Sequence, residues 1–292
     1  LVHQRAGGAR GILEQLPVIA EHRIPFFALW SSADKIVKNE MQPNYVFRVS
    51  LHDSIAMPFL LEQAKSRGFS RVGLLLSNTA WGRSGLAAAE NHLRRTRGLS
   101  IVASSWINWA DESLISKYHG MLAAGAQAIL VVANDEVSVL VREMAALPAP
   151  QRLPLMLHWG ATGGEFVEQA GAALKQVDVS VSQTFSFFSA DRQMRDRFMR
   201  AVEPLGIRRF EDIRSAVGAA HAYDAVHLLA QAITKAGSDD RVRIRDALEH
   251  LPAWRGLVKA YRPAFSPANH EALSSSDLLM ARYRDDGVLV PI

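Results

Sequence analysis

Along most of the chain, short continuous apolar runs alternate with segments whose apolar residues recur every three or four positions. The first pattern marks a strand buried on both faces; the second marks a helix resting one face on a core. Near the start, Leu13, Leu16, Ile19 and Ala20 share a helical face that contains Pro17. Pro25–Leu29 and Tyr45–Val49 read as strands. Asp53 is placed to cap the next helix, whose apolar face carries Met57, Leu60, Leu61 and Ala64, and Gly68 ends it. The same unit then recurs. Strands over 71–76, 101–106, 128–132 and 153–157 are followed by helices over 82–93, 112–124, 136–147 and near Glu165, and 177–183 is a further strand. Strands separated by helices need crossover connections, which build parallel sheets.

After Phe188 the pattern changes to consecutive helices over 191–205 and 213–236, with a third beginning at Ser238 and carrying Val242, Ile244, Ala247 and Leu248. Trp254–Tyr261, Leu278–Tyr283 and Gly287–Ile292 read as strands. The helices 191–205 and 213–236 are expected to pack on the same lobe as Trp30. No repeat of fixed period and no low-complexity tract interrupts the chain.

Composition narrows the chemistry. With 292 residues, 49% hydrophobic and 21% charged, the chain has the balance of a folded globular protein rather than a disordered one. It has no cysteine, which removes disulfides, thiolate metal sites and a catalytic thiol. The net charge of +4 is spread along the chain, so no nucleic-acid footprint is indicated. No apolar run reaches the ~18 residues of a membrane-spanning helix. Phosphate-binding loops, nucleophile elbows and metal-binding helix motifs are missing; Gly82-Arg83-Ser84-Gly85 lacks the elbow spacing. His221 and His227 lie six apart on one helix, face different ways and make a poor metal pair. These observations predict no enzyme, no metal and no organic cofactor.

What remains is the placement of polar and aromatic residues where strands end. In open α/β sheets, ligands bind at the carboxyl ends of strands. The strand over 25–29 exits into Trp30-Ser31-Ser32-Ala33-Asp34, and the strand over 71–76 into Ser77-Asn78-Thr79-Ala80-Trp81-Gly82. The strand over 128–132 exits into Ala133-Asn134-Asp135-Glu136, and the strand over 153–157 into His158-Trp159-Gly160-Ala161-Thr162. Three of the six tryptophans lie in these exits. An indole offers a broad apolar face and one donor, which suits a ligand wall; the plain alternative is that Trp30, Trp81 and Trp159 are core. Ser32 and Asp34 have a dual reading, as helix caps or as contacts for a polar solute. Asn134, Asp135 and Glu136 have the same duality, weighted to caps.

Several segments, in this order, resemble the type I periplasmic solute-binding proteins, in their branched-chain amino-acid receptor branch. They are Ile24-Pro25-Phe26, Asn44–Ser50, Asn78–Ser84, His158–Gly164 and Ala220–Ala225, with Phe265-Ser266-Pro267 and Asp286-Gly287 towards the end. The resemblance implies an α/β fold of two Rossmann-like lobes with parallel sheets, joined by three crossovers and closing on a small solute held in the cleft. Lobe one is then residues 1–69 plus 186–252, and lobe two 70–185 plus 253–292. It implies a periplasmic protein that captures an amino acid or related small organic acid and delivers it to the permease of an ABC transporter. A ligand-sensing domain of a regulatory protein is the alternative on the same fold. Carried over, the ligand-binding positions are Ser31, Ser32 and Asp34 from one lobe, and Trp81, Asn134, Asp135 and Thr162 from the other; the strand exits add Trp30, His158 and Trp159 as candidates.

Two positions depart from the family pattern. A small hydroxyl residue is replaced by Ala9, and the acidic amine-binding position reads Thr162. Both weaken an α-amino-acid ligand; Asp34 is the candidate replacement charge. The family also begins with two strands and helices that precede Leu1 here, so lobe one is expected to lack its first strands and residues 1–10 to be poorly paired.

Overall fold

The computed structural model describes residues 8–292, so the expectation about residues 1–10 lies, for 1–7, outside the described residues. The chain divides into two compact units, the first formed by the chain through His52 with Thr184–Asp277, the second by Asp53–Gln183 with Leu278–Ile292.

The second unit is built on a seven-stranded sheet. In chain order its elements are α2 (Asp53–Ser66), β3 (Arg71–Ser77), α3 (Ala80–Leu93), β4 (Ser100–Ile107), α4 (Ile115–Ala123), β5 (Ala128–Val132), α5 (Ser138–Ala145), β6 (Leu155–Leu157), α6 (Phe166–Ala170), β7 (Val179–Gln183), β10 (Leu279–Tyr283) and β11 (Leu289–Pro291). The sheet order is β11-β10-β7-β6-β5-β3-β4. The five strands from β4 to β7 pair in parallel, as the strand–helix alternation requires, while β10 and β11 add antiparallel at one edge. The unbroken apolar run of β5 serves two cores. Ile129 and Val131 face Tyr118, Met121, Leu140 and Val141 on one side. Ala128, Leu130 and Val132 face Met57, Leu60 and Ala89 on the other. Gly68 and Gly125 close their helices at φ 85° and 81°, as the sequence predicts.

The boundary between the units differs from the sequence reading. The helix α2 belongs to the second unit because Met57, Leu60, Leu61 and Ala64 pack on Val72, Leu74 and Leu76 of β3. Residues 253–277 belong to the first unit, for a reason given below.

The first unit contains α1 (Gly8–Glu21), β1 (Phe26–Ala28), β2 (Val46–Arg48), α7 (Arg192–Val202), α8 (Ala216–Ala236), α9 (Arg241–Leu248), β8 (Trp254–Arg255) and β9 (Ala260–Tyr261). Strands β1 and β2 pair in parallel, Phe26 opposite Val46 and Ala28 opposite Arg48. The far side of β2 is met by residues 270–272: Arg48 N–H donates to the His270 carbonyl at 2.8 Å and Ala272 N–H to the Arg48 carbonyl at 2.9 Å. Phe27, Phe47 and Phe265 form an aromatic cluster with centroids 4.9–6.0 Å apart. In α1 the buried residues are Ala9, Ile12 and Ile19, so the helical face is rotated from the one expected; Leu13, Leu16 and Ala20 are half-buried.

As expected, α7 and α8 lie in the unit that holds Trp30. His221 of α8 ties that helix to β1. Its Nδ1–H donates to the Leu29 carbonyl at 2.8 Å, which leaves Nε2 to accept from the Thr184 hydroxyl at 3.0 Å. The third helix starts at Arg241 rather than Ser238, because Asp240 accepts the Arg243 N–H at 2.9 Å and fixes the cap there. Trp254–Tyr261 is a hairpin of β8 and β9, not one strand. Asp224 of α8 forces the reversal: it accepts Leu257 N–H at 2.6 Å, Val258 N–H at 2.9 Å and the Tyr261 hydroxyl at 2.8 Å. Those bonds carry residues 253–277 into the first unit.

At Gly82, in the first turn of α3, an added Cβ would stand 1.9 Å from the Ser77 carbonyl oxygen. Backbone cannot yield as a side-chain tip does, so Gly82→Ala is expected to cost the upper part of the ~1–3 kcal/mol typical of overpacking. Urea denaturation checks this; unchanged stability would show that the turn from β3 into α3 relaxes freely.

Candidate functional site

The second unit gathers its polar and aromatic candidates after β3, β5 and β6. The exit of β3 is short: α3 begins at Ala80, so Trp81 sits in the first turn of the helix rather than in the loop before it. The absent Cβ of Gly82 is what allows that turn to start so close to the strand end. The half-buried indole of Trp81 lies over Gly160, where an added Cβ would come within 2.3 Å of Cη2. It also meets the His158 ring edge-on at 5.0 Å. Its Nε1 is buried and has no hydrogen-bond partner.

His158 and Trp159 follow β6. His158 is 1% exposed and Trp159 is fully buried, their rings 3.6 Å apart. The His158 Nδ1 accepts the Gly160 N–H at 3.1 Å. Burial drives the imidazole pKa down to about 3, so the ring is neutral. A neutral ring that accepts at Nδ1 carries its proton on Nε2. That Nε2 lies 4.0 Å from Oδ1 of Asp53, the fully buried first residue of α2. Thr162, in the 3₁₀ turn Trp159–Gly163, donates its hydroxyl back to the Trp159 carbonyl at 2.8 Å.

The loop after β5 binds to its neighbour. Asp135 accepts the Glu165 N–H at 3.0 Å, and Gly164 leaves room for it, since a Cβ there would stand 1.8 Å from the carboxylate. Asn134 N–H donates to Glu136 at 3.1 Å; burial raises the Glu136 pKa. Asn134 occupies the cap position of the 3₁₀ turn Asp135–Val137 without a capping side-chain bond, so its exposed amide is not used there.

In the first unit, Trp30 and Ser31 are half-buried after β1, and Ser32 is buried with a hydroxyl that has no hydrogen-bond partner. Neither Ser32 nor Asp34 is a cap: Ala33 precedes the turn Asp34–Ile36. The Asp34 carboxylate is taken up by His52 Nδ1 at 2.7 Å and faces Lys38 at 3.8 Å, so it is not a spare charge. The sequence reading missed the exit of β2. There the fully buried Arg48 pairs with Glu271 at 3.2 Å and donates to the Ala33 carbonyl at 2.9 Å, beside buried Ser50 and His52. Burial raises the Glu271 pKa, and Arg48 opposes the rise. The alternation Arg48-Val49-Ser50-Leu51-His52 was the signal available. Among the described residues there is no group of three or more side chains able to hold a metal, and no helix long and apolar enough to cross a membrane.

The periplasmic binding protein family profile matches residues 11–287, and the chain belongs to that family. Solved structures agree in fold. A type 1 periplasmic binding protein from Bordetella pertussis superposes with a TM-score of 0.85 at 23% identity, covering 98% of this chain and 79% of its own. The leucine-binding protein LivK of Thermotoga maritima gives 0.77 at 17% identity, over 99% and 77%. An ABC-transporter solute-binding protein from Rhodopseudomonas palustris, solved with 3,4-dihydroxybenzoic acid, gives 0.78 at 18%, over 98% and 76%. No curated protein matches by sequence.

His158 generates a pH prediction. The folded state keeps it neutral down to about pH 3, whereas the unfolded chain takes up the proton near the ordinary imidazole value of 6.5. Below that value the unfolded state binds one more proton, so the stability present above pH 6.5 is lost as pH falls towards 3, by ~1.4 kcal/mol per pH unit. His158→Gln is expected to flatten this part of the profile by that slope. Urea unfolding at several acidic pH values measures it; identical slopes in wild type and variant would refute the buried neutral ring.

Proposed function

We propose that this member of the periplasmic binding protein family is an extracytoplasmic solute-binding protein. It captures an amino acid or a related small organic acid, aromatic acids included, and hands it to the permease of an ABC importer. The observation that carries the reading is Trp81: a half-buried indole at the head of α3, with an unpartnered N–H, among the loops after β3 and β6. An aromatic face with one free donor is a typical wall for a small planar or branched solute. Relatives named for leucine and for a dihydroxybenzoic acid support the solute class. Capture and release of an unaltered solute is the role that follows, with no bond made or broken.

A ligand that binds only the folded protein raises its melting temperature, so a thermal-shift panel of amino acids, aromatic acids and small amides tests the reading directly. The hit should be recovered unchanged by mass spectrometry; a chemically altered product would overturn the non-catalytic role. With the hit in hand, Trp81→Ala is expected to weaken binding by ~1–3 kcal/mol while the fold survives. Calorimetry decides it, and an unchanged dissociation constant would return Trp81 to the core.

A further inference from the structure

We infer that the second unit carries a docking surface for the anionic headgroups of a lipid bilayer, on the edge of its sheet opposite the candidate site. The inference takes from the proposed function only its extracytoplasmic setting beside a membrane, and nothing from the solute site.

Because β3 to β7 run in parallel, the chain enters all five strands at one edge and leaves them at the other. The two edges carry opposite charge. The segment 65–71, leading into β3, holds Lys65, Arg67 and Arg71, and the segment 94–100, leading into β4, holds Arg94, Arg95 and Arg97; neither holds an acid. Residues 124–127, before β5, are uncharged. Residues 146–154 and 171–178, before β6 and β7, add Arg152, Lys175 and one acid, Asp178. The exits read the other way. Residues 108–114, 133–137 and 158–165 hold Asp111, Glu112, Asp135, Glu136 and Glu165, and no lysine or arginine.

Packing joins the two richest segments into one patch. Arg71 stands opposite Ser100 in the β3–β4 pair, and Ser100 N–H donates to the Ser70 carbonyl at 2.9 Å. A Cβ added at Gly98 would lie 3.8 Å from Cε of Lys65. All six basic residues are exposed, and among the described residues only Arg67 of the six has an acidic partner, Asp178. Arg71 donates to the Gly125 carbonyl at 2.8 Å and Arg94 to the Asn91 side chain at 3.1 Å, neutral partners that leave the positive charge whole. Complementing a helix C-terminus accounts for Lys65 in the last turn of α2 and Arg94 at the end of α3. It does not account for Arg71 and Arg97, which lie beyond both helices. The turn 284–288 reaches the same edge beside β10, but there Arg284 is paired with Asp286, so the excess lies at the β3–β4 end.

Six charges spread over two segments, and anchored on separate partners, suit many separate anions rather than a single phosphate. A layer of anionic headgroups supplies such an array. Nucleic acid fits less well, because no exposed ring stands in either segment to stack on a base: Phe69 is half-buried, under the Arg67 guanidinium at 5.3 Å. The acidic exits are repelled by the headgroups that attract the opposite edge, so the unit is oriented with its candidate site open to solute.

Co-sedimentation tests the inference, with vesicles of phosphatidylglycerol in phosphatidylcholine beside vesicles of phosphatidylcholine alone. Wild type should bind only the anionic vesicles at low salt and be released at ~1 M salt, where screening is nearly complete. The triple variant Arg94→Gln, Arg95→Gln, Arg97→Gln should lower the partition coefficient by ~100-fold, at roughly fivefold per charge. A control removes the same charge from exposed positions of the first unit, as Arg200→Gln, Arg208→Gln, Lys235→Gln, and should change the coefficient far less. Circular dichroism checks each fold; should the first triple variant not fold, Lys65→Gln with Arg97→Gln replaces it. No binding to anionic vesicles, binding that salt does not release, or equal loss in the two triple variants overturns the inference. Binding of duplex DNA in place of vesicles overturns it as well. None of these outcomes bears on solute capture, which the thermal-shift panel reads separately.

Discussion

Five strands of the second unit run the same way, and that single constraint places the residues after β3, β5 and β6 along one edge of the sheet. Parallel neighbours cannot be joined by a tight turn, so each connection is a crossover whose helix covers a face. Covered on both faces, the central strand β5 has no solvent side to give to polar residues. Ile129 and Val131 enter one core, Leu130 and Val132 the other. Polar and amphipathic side chains are therefore displaced to the strand ends. Trp81, Asp135, His158 and Thr162 collect there as a consequence of topology, and a binding surface is what such a collection makes available.

Those strand ends are held rigidly by one another. Asp135 takes the Glu165 N–H, His158 takes the Gly160 N–H, and Thr162 returns to the Trp159 carbonyl. Glycines stand where the contacts are tightest: Gly160 under the Trp81 ring and Gly164 beside the Asp135 carboxylate. A solute that meets groups fixed in this way loses little affinity to ordering them. The first unit solves a related problem with charge. Arg48, Glu271, His52 and Asp34 are drawn into pairs, because an isolated buried charge is far too costly to keep.

Local pattern revealed what local forces decide. The strand β5 occupies the residues its apolar run predicts, and Gly68 and Gly125 end their helices through a backbone conformation that glycine alone adopts cheaply. The exits of β1, β3, β5 and β6 were legible for the same reason, since a buried strand must stop where its apolar run stops. Long-range partners were not legible. Trp254–Tyr261 reads as one strand because nothing within it announces Asp224, some thirty residues earlier in the chain, whose carboxylate draws the chain back. Arg48 looked like a strand polar residue because its partner Glu271 is distant in sequence. Asp53 looked like a helix cap and nothing more, because its proximity to His158 is a product of the fold. The unit boundary failed likewise: α2 follows the first unit in sequence but its apolar face matches β3.

The two buried histidines show how structural and available polar groups are told apart. Burial lowers the pKa of both, His221 to about 4 and His158 to about 3, so each is a neutral ring with one donor and one acceptor. His221 uses both: its Nδ1–H goes to the Leu29 carbonyl and its Nε2 accepts from Thr184. Nothing is left over, and its work is to fasten α8 to β1. His158 uses only its acceptor, on the Gly160 N–H of its own turn. Its Nε2 lies 4.0 Å from Asp53 Oδ1, beyond hydrogen-bond distance. A buried donor left without an acceptor costs about 1–3 kcal/mol.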